Sequence, residues 1–125
     1  MTAVCPLKFH PQPILRDQHL ACPHLVEARE HLVAARRSRW FDSIPANAIY
    51  ALRAEAQIAA RAGDFDAMKG AMERARARIR ANRELAQRAP IFIAWLELAS
   101  GEWAIDLGQR DYACTTLASA AQHYS

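Results

Sequence analysis

The nineteen residues from Pro90 to Gly108, PIFIAWLELASGEWAIDLG, leave a chain of this size few ways to fold. Set at 100° per residue, Ile91, Ala94, Leu98 and Ile105 form one apolar side, and Phe92, Leu96, Ala99, Trp103 and Leu107 form another. A third side carries Ile93 and Ala104, with only Glu97, Ser100 and Gly101 to face water. Such a helix has to pack between neighbours. Pro90 suits the first turn, where its missing N–H is not needed, and Gly108 suits the left-handed position just past the end. One central helix is expected, with a core around Trp95, Leu98, Trp103, Met72, Ile79 and Leu117.

At 125 residues the chain is one domain, 1–125, and at 52% hydrophobic residues it can bury a core without metal or disulfide staples. Sixteen basic residues face thirteen acidic ones, and a formal charge of +3 by itself predicts no partner. All the basic residues but Lys8 and Lys69 are arginines, the bias that a GC-rich, bacterial-type genome gives an Ala- and Arg-rich protein. Three cysteines are an odd number and make no disulfide framework. A reducing compartment follows, and the N-terminus lacks the layout of a signal peptide. No apolar run approaches membrane-spanning length, so the expected address is the cytoplasm, without a membrane partner.

Residues 1–21, with Pro6, Pro11 and Pro13, read as an extended arm whose Val4, Leu7, Phe9, Ile14 and Leu15 favour docking on the domain. A first helix is expected over 23–39, ending in the basic-aromatic run Arg36-Arg37-Ser38-Arg39-Trp40-Phe41. A first hairpin spans 45–88: one helix from about Ala46 to Ala62, closed by Gly63, and a second from Asp64 or Phe65 to about Arg88. A second hairpin spans 90–124. No strand-like alternation is long enough to matter. The expected fold is all-α, a small helical bundle of two antiparallel helical hairpins with an N-terminal helix and an extended N-terminal arm.

The two hairpins echo each other at an offset of 45 residues. Pro45 pairs with Pro90, Gly63 with Gly108, Asp66 with Asp111, Met68 with Ala113, Met72 with Leu117 and Ala75 with Ala120. A duplicated hairpin gives this pattern, because each copy needs a starting Pro, a turning Gly and one apolar face. On Gly63-Asp64-Phe65 followed by Met68, Met72 and Ala75, and on Gly108 with Tyr112, Ala113, Leu117 and Ala120, the chain from about residue 45 onward resembles tetratricopeptide-like helical-hairpin repeat proteins. The offset is longer than the usual repeat of that family, and Leu52 and Glu97 fill its early large-residue position only in part. The resemblance implies stacked helix pairs and a tendency to bind other proteins.

Three constellations bear on chemistry. Cys5, His10, His19 and Cys22 supply zinc-ligand types, but their spacing fits no zinc template, and no metal or cofactor is expected. Glu102 and Asp106 lie one helical turn apart and invite comparison with an acid–base pair. No nucleophile, phosphate loop or Ser/His/Asp arrangement accompanies them, and arginines such as Arg53 or Arg110 are the expected partners, so the chain does not read as an enzyme. Arg76, Arg80 and Arg83 form a stripe that Arg36, Arg37, Arg39 and Trp40 could extend with a stacking surface. Glu73 and Glu84 interrupt it, which favours a solvated, salt-bridged face.

The expected function is therefore a non-catalytic protein–protein interaction module, an adaptor, chaperone or inhibitor that docks on a partner protein. Its apolar interface would be drawn from Ile93, Trp95 and Trp103 on the central helix, where either a homodimer could form or the N-terminal arm could cover the surface. The alternative is a nucleic-acid-binding accessory protein using the arginine face.

Overall fold

The computed structural model describes residues 23–124, so the arm and its Cys5, His10, His19 and Cys22 lie outside the described residues. Six α-helices account for most of the rest, and no strand occurs among the described residues. They are α1 (Pro23–Arg37), α2 (Ala46–Arg61), α3 (Phe65–Ala81), α4 (Arg83–Ala86), α5 (Ala89–Asp106) and α6 (Arg110–Tyr124), with a 3-10 turn over Phe41–Ser43. The bundle is all-α, and its long helices form the antiparallel pairs α2–α3 and α5–α6. Helix α1 packs on α2, and α5 bridges the hairpins by packing on α3 and α2 as well as on α6.

Both hairpins turn by the same chemistry. Gly63 has φ 78° and Gly108 φ 73°, the left-handed conformation that closes a helix. Gly63 N–H donates to Ala60 and Asp64 N–H to Ala59; 45 residues on, Gly108 N–H donates to Ile105 and Gln109 N–H to Ala104. These bonds satisfy carbonyls that the helix ends would leave bare. Past the first turn, the Asp64 side chain caps α3 by accepting from Ala67 N–H at 3.1 Å.

The core is lined by Ile49, Leu52, Met68, Met72, Ile79, Leu85, Ile93 and Leu96, packed among buried alanines of α2 and α3. Small side chains let the helix axes approach closely. The third helix does not run to Arg88. It stops at Ala81, because Asn82 turns extended and its side chain caps α4 by accepting from Leu85 N–H at 3.0 Å. Asn competes with the helix for local hydrogen bonds, and the break lets Leu85 tuck into the core. The first helix likewise ends two residues early, at Arg37.

Helix α5 differs from expectation in which side it covers. The third side, with Ile93, Glu97, Ser100, Gly101 and Ala104, expected as an interface or under the N-terminal arm, is buried throughout. Helix α6 lies on it, and a Cβ placed on Gly101 would come within 2.6 Å of Leu117 Cγ. Ile93 is therefore a core residue, not part of an exposed interface. Leu98, expected in the core, is 42% exposed, with Ile91 and Ile105 more so. A helical wheel ranks faces by hydrophobicity, but a facing helix selects the side whose small residues let it come closest.

Two glycine substitutions separate these causes. Gly101→Ala gains about 1 kcal/mol of helix propensity but forces a methyl into Leu117, at about 1–3 kcal/mol, and is expected to lower stability. Gly108→Ala has open space around it and should lose about 1–2 kcal/mol from its backbone alone. In a Leu117→Ala background the Gly101→Ala penalty should vanish while the Gly108→Ala penalty persists, as urea unfolding of the set would show.

Candidate docking site

The open face of the bundle is built by α5 and α2. Along α5, Ile91, Leu98 and Ile105 recur every seven residues, which keeps them on one side of the helix. They are 56%, 42% and 58% exposed. Beside this stripe stands half-buried Trp95, which meets Tyr50 of α2 edge-on at 5.7 Å between ring centroids and Phe92 at 5.8 Å. Glu102 and Asp106 lie on the same outward side, both exposed.

Arg53 of α2 completes the face. Its guanidinium carbon lies 4.7 Å from the Trp95 ring centroid and 5.4 Å from that of Trp103. Each indole offers its electron-rich face to the cation, worth about 0.5–2 kcal/mol depending on exposure. The Nε atom is buried without a hydrogen-bond partner. Arg53 makes no ion pair with a described carboxylate, Glu102 and Asp106 included. The expected pairing of these acids with Arg53 or Arg110 is thus replaced by a cation held against rings. Trp95 and Trp103, assigned to the apolar interface, are half-buried and hold Arg53; only Trp95 borders the exposed stripe.

The arginine face is divided. Arg36 donates to Glu55 at 2.9 Å, and Arg74 pairs with the other oxygen of the same carboxylate, so Glu55 ties α1 and α3 to α2. Arg76 is half-buried, with Nε out of solvent and without a partner. Arg80 is exposed near the end of α3, whereas Arg83 belongs to α4 beyond the Asn82 break. The three do not form one continuous helical stripe. Arg37 and Arg39 are exposed, and the Arg39 guanidinium lies 4.9 Å from the ring of Trp40, itself 66% exposed.

Sequence reasoning missed the buried polar cluster between α5 and α6. Ser119 Oγ lies 3.0 and 2.8 Å from the two carboxylate oxygens of Glu97, and His123 Nδ1 lies 3.1 Å from Oε1. The residue types are those of a hydrolase triad, but the order is not. Nucleophilic catalysis needs the imidazole between hydroxyl and acid to take the proton; here the acid is between them. The cluster fastens α6 to α5. Its signal in the sequence was Glu97 inside an otherwise apolar stretch, with Ser119 and His123 one turn apart on the next helix.

A shallow groove of about 480 Å3 between α1 and α2 is lined by Leu25, Ala28, His31, Leu32, Ala54, Gln57, Ile58 and Arg61. It contains neither Glu102 nor Asp106. Among the described residues, no group of three or more His, Cys, Asp and Glu is placed to hold a metal, and no helix is long and apolar enough to cross a membrane. No family model matches the chain, and no curated protein or solved structure is significantly similar to it.

Ser119→Ala should cost about 1.5–3 kcal/mol, the usual range for a hydrogen bond to a charged group. In a Glu97→Ala background the same change should cost less than about 0.5 kcal/mol, because the acceptor is already gone. A double-mutant cycle by urea denaturation measures the coupling.

Proposed function

We propose that this protein is a non-catalytic protein–protein interaction module that docks through the open face of α5. The observation that carries this reading is the stripe of Ile91, Leu98 and Ile105, three large apolar side chains that the described residues leave exposed along about 21 Å of one helix. A small domain rarely leaves such a stripe uncovered unless another surface meets it. Trp95 and Tyr50 extend it with the aromatic area common in protein interfaces, and Glu102, Asp106 and Arg53 supply charges that fix register and orientation. The hairpin repeat and its tetratricopeptide-like resemblance point the same way. The exposed carboxylates border a surface rather than a cavity, which suits an interface rim better than acid–base chemistry.

One observation favours the alternative of nucleic-acid binding: exposed Trp40 with Arg37 and Arg39 beside it offers a stacking ring among cations. The two readings separate in one pair of measurements. A photo-reactive phenylalanine analogue placed at Leu98 should give protein adducts on irradiation in cells, and the same analogue at exposed Arg78 on α3 should not. Fluorescent single- and double-stranded oligonucleotides should show no anisotropy change at low salt. Oligonucleotide binding that weakens linearly in log–log salt and is lost in Arg37→Glu/Arg39→Glu, with no positional adducts at Leu98, would replace the docking reading by the nucleic-acid one.

A further inference from the structure

We infer that the surface that covers the open face of α5 is the α5 of a second copy, laid antiparallel about a two-fold axis beside Leu98. The inference rests on the docking reading above and names its occupant. A two-fold interface has to be complementary to itself, and the exposed stripe is. Ile91 precedes Leu98 by seven residues and Ile105 follows it by seven. Antiparallel pairing therefore sets Leu98 against Leu98 and Ile91 against Ile105, twice, with no large apolar residue of the stripe left over.

The charges follow the same symmetry. Carried back at 100° per residue to Arg88, the residue that caps the start of α5, the wheel puts Asp106 and Arg88 on the same edge of the stripe, and both are exposed. Asp106 lies eight residues after Leu98 and Arg88 ten before it, so reversal brings the second copy's Asp106 within about one helical turn of Arg88. Glu102, four residues after Leu98, comes level with Ala94 of the other copy. That places it at the Trp95 end of Arg53, the cation held over two indoles with no described carboxylate beside it. Each copy thus offers two acids and two arginines on one edge of the seam, and only reversal sets opposite signs together. Parallel pairing about a two-fold axis along the helices would put the acids and arginines of the two copies on opposite edges of the seam, where no acid meets an arginine of this set. One helix seam is a small interface, so the dimer should be concentration-dependent.

Sedimentation velocity of the full chain over a dilution series reads this directly. The mass should approach twice that of the monomer at high concentration and fall toward one on dilution. Leu98→Glu sets two carboxylates against each other on the axis and should weaken association at least about tenfold while thermal unfolding of the monomer stays near wild type, since Leu98 is already part-exposed. Asp106→Arg and Arg88→Asp should each weaken association, and the double swap Asp106→Arg/Arg88→Asp should restore it. In a background with Cys5, Cys22 and Cys114 replaced by Ser, a mixture of Ile91→Cys and Ile105→Cys proteins should form a disulfide between unlike chains, while Ile91→Cys alone should not.

A chain that stays monomeric at high concentration, a charge swap that fails to restore association, or a disulfide between two Ile91→Cys chains overturns the inference. Adducts from Leu98 to other proteins combined with a monomeric chain would leave the docking reading standing and remove the second copy as its occupant. Absence of both adducts and self-association would remove the two together.

Discussion

The two hairpins are joined through α5, which packs on α2, α3 and α6. The helix is apolar nearly all round, and a lone helix of that kind has nowhere to face water. Its small side, Ser100, Gly101 and Ala104, takes α6, with Leu117 packed against Gly101. Its bulky side, Phe92, Trp95 and Trp103, faces α2 and α3. On that side the flat Arg53 guanidinium of α2 lies against two indoles. What remains is the Ile91, Leu98 and Ile105 stripe, exposed because the described helices have already taken the other sides.

Burying Glu97 has a consequence for how the hairpin docks. A carboxyl group in an apolar interface is tolerated only where polar partners meet it, and the Ser119 hydroxyl and the His123 ring meet it from the facing helix. Sliding α6 by one turn would strand the carboxylate, so the cluster selects a single register where a purely apolar contact would admit several. Glu55 does a weaker version of the same between α1, α2 and α3, at the surface, where screening limits each ion pair to about 1 kcal/mol or less.

The elements were legible because their signals are local. Gly63 and Gly108 need left-handed backbone, Asp64 caps its neighbour, and alanine-rich faces at helical spacing announce close packing. What could not be read is pairwise. Which side of α5 would be covered depended on the size of side chains on α6, so Ile93 and Leu98 exchanged their expected places. Arg53 could have met a carboxylate or a ring, and it forms an ion pair with neither Glu102 nor Asp106. The polar cluster joins residues 22 and 26 positions apart, a distance over which spacing carries no orientation. Asn82 was visible as a capping residue, but only the pull of buried Leu85 makes the break at that point favourable. The arginine stripe assumed a helix running through Asn82 and lost its continuity with the break.

The packing of Arg53 between Trp95 and Trp103 joins α2 to α5 and shapes the face that the functional reading relies on, so its side chain is the most direct reporter. In a 1H–15N spectrum of the full chain, the Arg53 Nε–Hε resonance, assigned through Arg53→Lys, should lie well upfield of the other arginines from the indole ring currents. It should also persist at neutral pH, where exposed guanidinium protons exchange away. A resonance that coincides with the solvent-exposed arginines, or that vanishes with them as pH rises, would contradict the account.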